Sequence, residues 1–172
     1  MTSAPRRFLL DTSVFVQAHR TYYAFDICPG FWDALLALHE AGRWQSLDRV
    51  RSELEAGNDR LKTWATSQVP ASGFAACDEP SVVASFARAA AWVESQPRFG
   101  VAAKEEFAHV ADGWLPAYAH VHQLVVVTQE EARPDARKTV PLPNVCIALG
   151  VPYISTFAML RESNVALSWA RP

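Results

Sequence analysis

The stretch Arg7-Phe8-Leu9-Leu10-Asp11-Thr12-Ser13-Val14-Phe15-Val16 constrains the fold more than any other. Phe8 to Leu10 is a short, uninterrupted apolar run, the pattern of a strand buried on both faces of a parallel sheet. Asp11 follows at once, and Thr12 and Ser13 are residues that start helices. The reading is strand, tight turn, helix, with Asp11 at the carboxyl end of the strand, where open α/β sheets hold ligands. An Asp there can equally cap the helix, so its company decides its role.

The remaining pattern alternates helices with short apolar strands. Helices are expected from about Phe31 to Ala41 (ended by Gly42), from Asp48 as N-cap to Gly57, over Ser81 to Glu94, from about Ala102 to Val110, and from Asp112 through Ala119. Asp59 to Thr66 is expected to add a turn or two. Over Ser81 to Glu94, Val82, Val83, Phe86, Ala90 and Val93 recur at helical spacing. In the helix from Asp112, Pro116 sits awkwardly near the start. Trp44 to Leu47, Phe74 to Ala76, Leu124 to Thr128 and Val151 to Ile154 read as extended. Arg133 to Lys138 is a basic loop, and Asn144 opens a short helix. Strands separated by helices imply an α/β three-layer fold with a parallel sheet.

At 172 residues one domain spanning 1–172 is expected, large enough to need no disulfide or structural metal. Charges recur along the chain and no membrane span is expected. Asp11 interrupts the apolar run after Arg6 and Arg7, which argues against a signal peptide. Three cysteines without CxxC spacing read as reduced thiols of a cytoplasmic protein. A net charge of −2 gives no global attraction to nucleic acid, so any such binding must be local. P-loop, HExxH and GxSxG signatures are lacking, and His109, His120 and His122 lack zinc spacing.

Four acids stand out by position: Asp11 after the first strand, Glu53 among apolar neighbours on its helix, Asp112 after Val110-Ala111, and Glu130 beyond the Val125–Val127 run. Brought together they would repel one another and raise each other's pKa. A hard divalent cation, magnesium or manganese, is what makes such a cluster tolerable, and it supplies phosphodiester hydrolysis with an activated water. Taken singly, Glu53 also reads as a surface acid pairing with Arg49 or Arg51, and Asp112 as a helix cap.

The blocks Leu-Leu-Asp-Thr-Ser-Val-Phe (9–15), Val-x-x-Glu-Leu (50–54), Ala-Asp-x-x-Leu-x-Ala-x-Ala (111–119) and Val-Val-Thr-x-Glu (126–130) resemble the PIN-domain family of metal-dependent ribonucleases. Asp11 to Asp33 and Lys138 to Cys146 resemble an uncharacterised PIN-like group more narrowly, and Ser67 to Phe99 is the weakest part of the match. The resemblance implies a PIN-like fold, with Asp11, Glu53, Asp112 and Glu130 holding Mg2+ or Mn2+ and with Ser13 and Thr128 as supporting hydroxyls. Glu130 stands where an Asp is usual, and Glu131 beside it competes for the place. The resemblance also implies RNA as substrate, an antitoxin protein as partner and self-association as a homodimer. His19, Arg20, Arg133, Arg137 and Lys138 are candidate contacts to RNA phosphates. The reading from another class is a PIN-like module that binds RNA or protein without cutting.

Overall fold

The computed structural model describes residues 4–169; the ends of the expected 1–172 domain, residues 1–3 and 170–172, lie outside them. Five strands form a parallel sheet: β1 (Phe8–Leu10), β2 (Trp44–Leu47), β3 (Phe74–Ala75), β4 (Val125–Val127) and β5 (Tyr153–Ile154), in the order β3-β2-β1-β4-β5. Helices flank it in the expected α/β three-layer arrangement. They are α1 (Thr12–Gln17), which runs on into a π-helical turn at Ala18–Tyr22, α2 (Pro29–Glu40), α3 (Asp48–Ala56), α4 (Arg60–Ser67), α5 (Pro80–Ser95), α6 (Val101–His109), α7 (Trp114–His122), α8 (Leu142–Leu149) and α9 (Thr156–Glu162).

The strand order follows from burial. Phe8, Leu9 and Leu10 are inaccessible, as are Val126 and Val127, so β1 and β4 belong at the centre. Leu10 pairs with Val127, which sets Asp11 opposite Thr128 just past the strand ends. The chain leaves β1 toward β2 and β3 on one side and returns as β4 and β5 on the other. The crevice beyond the carboxyl ends of β1 and β4 is therefore the switch point of the sheet, where such folds bind ligands. On the β2 side an aromatic cluster of Phe15, Phe25, Phe31, Trp32, Trp44 and Trp64 fills the core. It includes Trp32, Trp44 and Trp64, so these tryptophans pack the interior.

Several local expectations are corrected. Leu47, not Asp48, is the N-cap residue of α3, and Asp48 is its first residue. The buried face of α5 is Val82, Ser85, Ala89 and Val93, and Val83 is 44% exposed, because packing on α7 decides which face turns inward. Asp112 caps nothing: it lies in a 3-10 turn, Ala111–Gly113, and α7 has Gly113 at its N-cap. Pro116 is the third residue of α7, where a backbone N–H would have no partner within the helix, so it costs the helix nothing. Asn144 lies inside α8, which starts at Leu142. One run, residues 139–160, carries no Asp, Glu, Lys or Arg, but it is divided among α8, β5 and the start of α9. Among the described residues no helix is long and apolar enough to cross a membrane. Cys28, Cys77 and Cys146 are free thiols.

Candidate active site

Asp11 is 2% exposed and occupies the N-cap position of α1, yet its side chain makes no capping bond. Its Oδ2 instead accepts hydrogen bonds from the Ser13 hydroxyl at 2.5 Å and from the Thr128 hydroxyl at 2.9 Å. Ser13 Oγ in turn accepts from the Gln129 backbone N–H at 3.1 Å, and Thr128 Oγ1 from that of Glu130, also at 3.1 Å. The hydroxyls expected to support the site thus tie the end of β1 to the end of β4.

Glu53 reaches the same crevice from the exposed face of α3. The Thr12 hydroxyl donates to its Oε2, and the Ala111 N–H donates to its Oε1 at 3.1 Å. Neither neighbouring arginine pairs with it: Arg51 bonds Glu55 at 2.7 Å, and Arg49 lies over Trp114. The surface-pair reading of Glu53 is therefore wrong. Glu130 is half-buried, and its Oε2 accepts from the Leu142 N–H at 3.1 Å at the start of α8. Glu131 is exposed.

The electrostatics link these groups. Burial, and then Asp11, Glu130, Glu53 and Glu106 in turn, push the Asp112 carboxyl up to about 8. Burial also raises Asp11 against the Ser13 and Thr128 hydrogen bonds, and Glu53 adds to the rise. Glu130 rises by burial and by proximity to Asp11, opposed by the Leu142 N–H and by Arg133. Even the buried Cys146 thiol is pushed up, first by desolvation and then by Asp11 and Glu130. The switch point is a pocket of negative potential.

The donor set suits a hard divalent cation, since every group in it is a carboxylate or hydroxyl oxygen. Among the described residues the Asp112 carboxylate accepts no hydrogen bond from the protein. Glu53 and Glu130 are held by backbone N–H groups through oxygens a cation would also use. Accordingly, no three His, Cys, Asp or Glu side chains among the described residues are gathered closely enough to hold an ion as they stand.

A cleft of about 410 Å³ opens from Asp112 between α6 and the 130–140 segment. Glu106, Glu130, Glu131, Arg133 and Thr139 line it. Glu106 had no signature in the sequence, because only the packing of α6 brings it near Asp112. Arg133 is fixed by Asn144, which accepts from its N–H at 2.9 Å and donates to its carbonyl at 2.8 Å. Arg137 and Lys138 are exposed outside the cleft lining. His19 and Arg20 lie in the π-helical turn, at the far end of the helix that starts beside Asp11; His19 faces Asp59 at 3.7 Å and packs on Phe25.

Two solved structures are similar in fold. FitAB bound to an IR36 DNA fragment is 19% identical, with a TM-score of 0.49 over 86% of this chain and 94% of that one. FitAcB from Neisseria gonorrhoeae is 22% identical, with a TM-score of 0.52 over 85% of this chain and 95% of that one. The second likeness supports the fold and nothing finer. A comparison with curated proteins finds no match. A family model described as a domain of unknown function (DUF4411) matches residues 8–167, from β1 to beyond α9, and the chain belongs to that family.

Proposed function

We propose that this protein is an endoribonuclease that hydrolyses RNA phosphodiesters with Mg2+ or Mn2+ held by Asp11, Glu53, Asp112 and Glu130. The observation that carries the reading is the Asp112 carboxyl, without a hydrogen-bond partner among the described residues, pushed up to about 8 by burial and by Asp11, Glu130 and Glu53 at the switch point. A protein that only binds RNA gains nothing from a negative pocket turned toward phosphate. A divalent ion bound among these oxygens supplies charge neutralisation and a more acidic water. The chain's own groups do the positioning. Ser13 and Thr128 orient Asp11, the Ala111 and Leu142 N–H groups orient Glu53 and Glu130, and Arg133 brings positive charge to the Glu130 side.

The PIN-like fold and the likeness of the sequence to PIN ribonucleases support a further step: the protein acts as the toxin of a toxin–antitoxin pair, with an antitoxin protein as partner. A small open reading frame adjoining its gene is the expected companion.

The test is cleavage of RNA by purified protein with manganese. Wild type cuts. Asp11→Asn loses more than the roughly 10–100-fold that loss of an outer-shell partner costs, with its fold intact. A wild type that cuts no RNA with either ion, and whose expression is harmless, sinks the nuclease reading in favour of a binding module. An Asp11→Asn variant as active as wild type misplaces the site.

A further inference from the structure

Beside the acids lies a cation that the preceding assignment leaves without a role. Arg49 is one helical turn before Glu53 on α3, at the carboxyl edge of β2, so its side chain rises on the same rim as the site. Its guanidinium carbon lies 4.4 Å from the centroid of the Trp114 ring. That ring also stacks on Phe86, with centroids 4.0 Å apart and planes within 6°. Phe107 continues the column, 6.1 Å beyond Phe86 and within 5° of parallel. Arg49 is exposed and takes part in none of the ion pairs among the described residues; its side chain reaches the Cys77 thiol, and its backbone N–H donates to Asp48 Oδ1 at 2.8 Å.

A stacked guanidinium differs from a free one. A ring beneath it attracts the charge and limits the conformations it loses on binding an anion, while the guanidinium keeps N–H donors to offer. Trp114 stands two residues from Asp112 in sequence and Arg49 one turn from Glu53; Arg49 follows β2 and Arg133 follows β4, the strands on either side of β1 and Asp11. The two cations therefore flank the acids, Arg133 beside Glu130 and Arg49 beside Glu53. A polyanion lying across the acids would meet positive charge on both sides.

We propose that Arg49, shelved on Trp114, anchors a backbone phosphate of the RNA strand on the Glu53 side of the site. The inference rests on the nuclease reading above. Arg49 is a binding and positioning residue and leaves the chemistry to the acids.

The experiment measures binding of a short single-stranded RNA to the protein in chelator, across a salt series, together with manganese-dependent cleavage. Arg49→Gln binds about tenfold more weakly, and its log–log salt slope is smaller by about 0.7, the share of one phosphate contact on a single strand. KM rises and kcat is little changed. Arg49→Lys restores the salt slope without the full affinity, since it keeps the charge and loses the planar stack. Thermal midpoints of both variants fall by no more than roughly 2–4 °C, the share of one exposed ring contact, which separates a lost contact from a lost fold. Cleavage and binding by wild type with an unchanged salt slope in Arg49→Gln overturns this inference and leaves the nuclease reading standing. Failure of wild type to bind or cut RNA overturns both.

Discussion

At the scale of single residues, the choice between Glu130 and Glu131 turns on burial. Glu130 is half-buried, bonded to the Leu142 N–H, and close enough to Asp11 and Asp112 to perturb the latter. Glu131 lines the same cleft from an exposed position. Adjacent residues in extended chain face opposite ways, so only one can serve the pocket. Glu130→Gln is expected to lose RNA cleavage to a degree comparable with Asp11→Asn, whereas Glu131→Gln keeps it within a few-fold. Equal loss in both variants, measured as initial rates at saturating manganese, would refute the choice. Sequence alone could bring matters this far but no further. Position marks Asp11, Glu53, Asp112 and Glu130 because each follows a strand or interrupts an apolar face. Nothing in the local pattern marks Glu106 or the contact of Arg49 with Trp114, since both arise from helices meeting across the fold.

At the scale of elements, the segment carrying Asp112 is held by aromatic packing. Gly113 follows it, with backbone angles of −81° and −28° that any residue adopts. A Cβ at that position would stand 2.7 Å from both Phe107 and Phe86. Glycine is required here for space and not for conformation. Gly113→Ala should therefore destabilise the protein by about 1–3 kcal/mol, the usual cost of overpacking, and lower the thermal midpoint by roughly 2–4 °C for each kcal/mol. A midpoint equal to or above wild type would mean the column yields freely and does not hold Asp112. The helices themselves were legible where the apolar spacing is strict, as in α2 and α3. They were misread where a neighbour decides the face. In α5 the contact with α7 buries Ser85 and Ala89 rather than Phe86 and Ala90, and Phe86 packs in the aromatic column.

At the scale of the whole molecule, the strand order was not legible: apolar runs identify β1 and β4 as central, but their pairing is a long-range fact. That pairing creates the switch point, and with it a cost in stability. The folded Asp112 carboxyl titrates near 8 against 3.8 for an unperturbed Asp. The folded state therefore binds this proton more tightly than the unfolded chain, and metal-free stability falls as pH rises from about 4 to about 8. Asp11 and Glu130 are raised in the same direction and add to the fall. A cation bound only by the folded state reverses the effect, by about 2.7 kcal/mol at a hundredfold excess over its dissociation constant.

The most direct test of a shared cation pocket is thus a set of thermal melts at pH 6 and pH 8, in chelator and in manganese, of wild type and Asp112→Asn. Wild type in chelator should melt lower at pH 8 than at pH 6, and manganese should raise the pH 8 midpoint. Asp112→Asn should melt higher than wild type in chelator at pH 8, change less with pH, and gain little from manganese. A wild-type midpoint indifferent to manganese, together with an Asp112→Asn variant that melts lower in chelator, would show that the four acids do not share a cation and would contradict the account at its centre.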